Sequence, residues 1–147
     1  MQYHLNEGSF TLPDGGWLDN SMNVLRDDTS GITLVISRGP VPEGSDFEQE
    51  FYRQWDDMRP QMTRLQQSDF TRVTVGAQQQ IRAVQVSSHF ERNGQTLHQH
   101  QLAVQATEKN SLMVLTFSAL RPFTDEDNQR WASLKQSLDL TRHGQEV

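Results

Sequence analysis

Residues 81–120 carry the pattern that narrows the fold most. Two long runs, 81–91 and 95–106, meet at Arg92-Asn93-Gly94. An Asn-Gly step between alternating runs is a hairpin signal, because both residues enter positive φ at little cost. A third run, 111–120, follows Glu108-Lys109-Asn110 and is the most apolar, with Met113, Leu115, Phe117 and Ala119 on one side. Three successive strands with short connections form a meander, and meanders are antiparallel.

The rest of the chain fits around that meander. Residues 10–38, FTLPDGGWLDNSMNVLRDDTSGITLVISR, predict short strands at 10–12, 22–26 and 32–38. Pro13 stops the first, since it cannot donate to a ladder. Asp14-Gly15-Gly16 and residues 27–31 are turn-forming. Residues 3–5 and 71–75 predict two further short strands. A helix opens at Ser45, where Ser45-Asp46-Phe47-Glu48 has capping-box spacing. Phe47, Phe51, Trp55, Met58, Met62 and Leu65 follow at helical spacing and form one apolar stripe. Pro60 predicts a kink or break near Arg59, because a proline inside a helix removes a hydrogen bond and clashes with the preceding turn. Thr124-Asp125-Glu126-Asp127 caps a last helix that buries Trp131, Leu134 and Leu138, with fraying expected after Thr141. The expected architecture is a single α+β domain over residues 1–147. It has an antiparallel sheet with a meander, two main helices packed on one face, and the other face open.

Composition excludes several function classes. The chain has 147 residues, 34% of them hydrophobic, a net charge of −6 and no cysteine. Its mean hydropathy is −0.72 and its pI about 5.2. Without cysteine there is no disulfide, thiol chemistry or thiolate zinc site. An acidic chain without a basic patch argues against nucleic acid as a partner. No window approaches the roughly 18 apolar residues of a membrane span, and the start, MQYHLNE, has neither a basic segment nor an apolar run. A cytoplasmic chain that does not insert into membranes is expected.

Catalytic patterns are weak. No glycine-rich phosphate loop links a strand to a helix, and no nucleophile elbow or Ser/His/Asp grouping stands out. Asp125, Glu126 and Asp127 are explained by capping, and Asp56 and Asp57 by a solvated helix face. His98 and His100 lie two apart on one strand and share a face, with His89 across the hairpin as a third candidate metal ligand. Surface histidines on a long hairpin explain the same pattern. The expectation is a protein that is not an enzyme and holds no cofactor or metal.

The open sheet face is more informative. Strand alternation places Leu34 and Ile36 on one side, with Leu25 a further core candidate, and Thr33, Val35 and Ser37 on the other. Met22 and Val24 would join the second group. Gln99, Gln101, Ala103 and Gln105 share a side opposite Leu102 and Val104. If the latter are core, these glutamines lie beside Val35 and Ser37. Such a face can cover apolar surface and hydrogen-bond to polar atoms within it. Solvent-facing glutamine, or a face covered by a helix or a second copy, would give the same pattern.

Leu12-Pro13, Trp17, Asp19, Ser21, Met22-Asn23-Val24 and Val35-Ile36-Ser37-Arg38 together resemble the DcrB-like family, in particular its Eag-type chaperones of type VI secretion effectors. The resemblance implies a PsbP-like fold and a homodimer whose sheets form a cradle. It implies binding to the N-terminal transmembrane region of a PAAR/Rhs-type effector and loading of that effector on the secretion spike. Met22, Val24 and Val35 would supply the apolar contacts, and Ser37, Gln54 and Gln101 the polar ones. Thr33, on the same face, completes the expected set. The alternative is a small-ligand or lipid-binding module of the wider DcrB-like or PsbP-like group.

Overall fold

At Asn93 and Gly94 the backbone enters the left-handed region, with φ of 53° and 79°. That geometry matches the twist of the flanking strands. It joins β7 (Ile81–Arg92) to β8 (Gln95–Gln105), the longest hairpin of the fold. The computed structural model describes residues 2–5, 7–16, 21–106 and 111–140. Trp17, Asp19 and the 107–110 connection lie outside the described residues, as does the tail after residue 140.

Strand β9 (Ser111–Ala119) pairs with β8, completing the expected meander. Strand β4 (Ile32–Pro40) lies along the other side of β9, and β3 (Met22–Asp27) forms the edge beside β4. The loop between β3 and β4 is closed by Asp27, whose carboxylate accepts from Thr29 N at 3.2 Å and from the Ser30 hydroxyl at 2.7 Å. At the opposite end β5 (Thr63–Gln67) and β6 (Thr71–Val75) pair with successive lengths of β7. All seven strands of this open sheet are antiparallel to their neighbours. Strands β1 (Gln2–His4) and β2 (Ser9–Thr11) make a separate hairpin. The fold is α+β, as expected.

Helix α1 (Phe47–Met58) gives way to a single 3-10 turn, Arg59–Gln61, at Pro60. The break falls where the proline required it. Its cap differs by one residue from expectation. Asp46 accepts from Gln49 N at 2.9 Å, and the Gln49 side-chain oxygen accepts from Asp46 N at 3.2 Å. Glu48, the expected partner of Ser45, turns instead to Arg72 of β6 at 2.9 Å. Helix α2 (Asp125–Ser137) has the expected box, with Thr124 and Asp127 as its two partners. Asp127 is buried and pairs with Arg121, which holds its carboxyl well below the usual carboxylate range. The same guanidinium donates to Ser30 O at 2.6 Å, tying the start of α2 to the β3–β4 loop.

Two further details differ from the sequence expectation. Met62 and Leu65 do not extend the helical stripe. They flank and occupy β5, a strand that the helical spacing concealed. The register slips between Thr63 and Gln66, and Arg64 there has φ of 56°. A bulge of this kind removes the strict alternation by which a strand is recognised. Second, the two helices pack on opposite faces of the sheet. Trp131 of α2 joins Leu102, Val104, Leu115 and Phe117 in one core. Phe47, Phe51 and Trp55 of α1 join Val84, Val86, Ala103 and Val114 in another. The reason lies in β8, where Leu102, Ala103 and Val104 are all fully buried. A strand apolar on both sides needs cover on both.

Candidate functional site

Helix α1 covers only part of its face. Beyond Val114 the sheet runs on towards β3 without a helix above it. The registers set out three rows across β8, β9, β4 and β3. Gln101, Thr116, Val35 and Val24 form the central row. Ala103, Val114, Ser37 and Met22 lie on one side of it, and Gln99, Ser118, Thr33 and Arg26 on the other. Apolar and small hydroxyl or amide side chains thus alternate over one continuous surface. At the edge strand this surface is open, with Met22 61% and Val24 63% exposed.

Where the open rows meet the flank of α1, a cavity of about 360 Å3 forms. Met22, Val35, Ser37, Gln54 and Gln101 all line it. Val24 and Thr33 share the face but do not line the cavity. Five of the seven candidate residues from four separate elements therefore converge on one groove. Gln99, already placed on this face by strand alternation, lines it too. The wall also includes residues not read as site residues from sequence, among them Trp55 and Met58 of α1, Met62, Phe90 and Thr116. Thr116 had a legible signal, since it alternates with Leu115 and Phe117 on the apolar third run of the meander. Leu25, a core candidate, is 54% exposed because its edge strand extends past the cover of α2.

The polar groups in the groove are held unequally. Gln54 donates to Glu50 Oε2 at 3.1 Å, and Glu50 is itself buried against Arg53. That guanidinium lowers the Glu50 carboxyl from its ordinary range, so Glu50 is charged and anchors Gln54. Gln101 donates to Thr116 Oγ1 at 3.1 Å, while its own buried Oε1 has no partner. Ser88 Oγ, one step along β7 on the same face, is likewise buried and unpaired. An unmade hydrogen bond on a buried acceptor costs about 1–3 kcal/mol. Of the two, Gln101 Oε1 belongs to a residue that lines the groove and marks its polar demand. At its rim Arg92 stands over the Phe90 ring, 5.6 Å from the centroid.

The histidines sit on the opposite face. His100 places Nδ1 2.7 Å from the Ser87 hydroxyl and Nε2 2.9 Å from Asn128 Oδ1. Its ring stacks on Phe123 at 4.3 Å. Both ring nitrogens are engaged, so His100 locks α2 to the sheet and is unavailable as a ligand. Among the described residues no three His, Cys, Asp or Glu side chains gather in a metal-binding group.

A family model for DcrB matches residues 7–137. The chain belongs to the DcrB family. The match runs from just before β2 to the last residue of α2, so it takes in every element that builds the groove. A crystal structure of a Pseudomonas aeruginosa protein of unknown function, PA94, described as a candidate regulator, is similar in fold. It superposes with a TM-score of 0.72 over 97% of each chain at 21% identity. At that identity the likeness establishes the fold shared with this DcrB-family chain. No curated protein matches the chain. Among the described residues, no helix is long and apolar enough to cross a membrane.

Proposed function

We propose that this DcrB-family protein is a cytoplasmic, non-catalytic chaperone or adaptor of the Eag type. Its groove shields the N-terminal transmembrane segments of a PAAR/Rhs-type type VI secretion effector until the effector is loaded on the spike. The observation that carries this reading is the composition of the groove. Apolar walls from Met22, Val35, Trp55 and Met58 surround small hydroxyls and a buried, unpaired Gln101 acceptor. A membrane helix in water exposes large side chains at roughly 1.5–3 kcal/mol each. It also carries small residues and hydroxyls that pack and hydrogen-bond with neighbouring helices. The groove supplies a counterpart for each.

Dimensions support a pair of copies. The open rows from Thr33 to Ser37 span about 14 Å along the strand, whereas a membrane-spanning helix is about 30 Å long. Two sheets supplied by a homodimer would cover such a helix better than one. The test is co-purification of the chain with the N-terminal segment of its effector. Val35→Asp is expected to abolish capture with circular dichroism unchanged. Capture at the parent level by a folded Val35→Asp protein overturns the reading.

One observation favours a second reading, a small-ligand or lipid-binding module. The cavity volume falls within the range of small-molecule sites, and Arg92 offers a cation to an acidic head group. Native mass spectra of the chain purified alone separate the two, since only this reading expects a retained small molecule.

A further inference from the structure

His89 and His98 are direct partners across the β7–β8 hairpin, on the face away from the groove. Their ring centroids are 5.2 Å apart and the rings are inclined by 33°. A zinc ion about 2.1 Å from one nitrogen of each ring lies about 3.2 Å from each ring centre, and a tetrahedral angle then sets the centres about 5.2 Å apart. The two rings already stand at that separation. Neither makes a hydrogen bond to another described residue, in contrast to His100 two positions along.

From this geometry we infer that His89 and His98 form a two-imidazole site for a divalent transition-metal cation such as zinc. The surroundings suit the role. The pair opens into a cleft of about 320 Å3 lined also by Gln66, Ser87 and Phe123. Phe123 meets the His98 ring edge-on at 6.3 Å and limits its rotation. Gln66 lies directly opposite His89 on β5 and brings an amide oxygen to the same row. The remaining coordination positions fall to that amide or to water. Imidazole binds metal in its neutral form. Burial, and then the neighbouring His89, lower the His98 ring from its ordinary range and so favour that form. A cation there ties β5, β7 and β8 together behind Phe90, Gln99 and Gln101 of the groove. The site is independent of what occupies that groove.

The test uses the untagged full-length chain, titrated with zinc chloride in a calorimeter and melted with and without the ion. One zinc per chain and a raised Tm are expected. His89→Gln and His98→Gln should each weaken binding by about tenfold or more and remove the Tm rise. His89 is exposed, so its variant keeps the fold, and circular dichroism verifies this. His4→Gln combined with His143→Gln should change neither result. Absence of zinc binding to the parent overturns the inference. So does binding that survives His98→Gln or that disappears with His4 and His143.

Discussion

The two faces of the sheet are built from the same strands and end differently. On the α2 face, Phe117 lies 5.3 Å from Trp131, and Phe123 and His100 stack beside them. Ile32, Leu34 and Ile36 carry that core out to β4, so apolar surface and cover have matching extents. On the α1 face, the aromatic cluster of Phe51, Trp55 and Phe70 closes the sheet only over β7, β8 and the Leu112–Val114 end of β9. Past Val114 the residues become Thr116, Ser118, Gln99 and Gln101, with Val35 and Met22 among them. The first face is made to be sealed by its own chain. The second mixes apolar and polar side chains and is left open at its edge strand. The contrast teaches that half-cover is a property of side-chain choice here, because both helices cross the same sheet.

That contrast can be broken most forcefully at Trp131. Trp131→Ala should cost about 3–5 kcal/mol, since the ring is 5% exposed and a cavity would remain. Urea denaturation measures it, and a loss under 1 kcal/mol would mean that the α2 face is not the principal core. A smaller effect is expected from pH. Burial lowers the His100 ring from its ordinary value of 6.5, so the folded state binds fewer protons than the unfolded one. Stability contributed by the neutral ring is complete above pH about 6.5 and is lost as pH falls below it. One such group gives a slope of at most about 1.4 kcal/mol per pH unit. His100→Gln should flatten the dependence of ΔG on pH in that window, leaving the part due to His98. An unaltered slope would show that His100 is not buried in its neutral form. The smallest effect belongs to the open face. Val24→Thr should change stability by no more than about 0.5 kcal/mol, measured as Tm. A larger loss would reveal cover over that edge strand.

Much of the architecture was legible because its signals are local. Asn93-Gly94 forms a tight hairpin by its own backbone preferences, Pro60 ends α1, and Thr124 with Asp127 caps α2. The candidate face was also legible in part. Strand alternation alone puts Met22 with Val24, Val35 with Ser37, and Gln101 opposite Leu102. What joins these pairs into one surface is register, and register depends on which strands become neighbours.

Local pattern failed where two structures share a pattern. Met62 and Leu65 continue the spacing of Phe51, Trp55 and Met58, yet Pro60 had already ended the helix and a bulge at Arg64 disguises the strand. Leu102-Ala103-Val104 is a short apolar run, which alone does not say whether one face or both are covered. The sequence by itself determined most of the elements, the α2 cap, the Asn93-Gly94 turn, and which residues share a side of each recognised strand, because those follow from backbone preference and a period of two. Only the tertiary structure decided that the helices take opposite faces, that α1 stops short of β3, and that Gln54 and Gln101 line one groove. Those are contacts between residues far apart in the chain, and the packing of large side chains selects them.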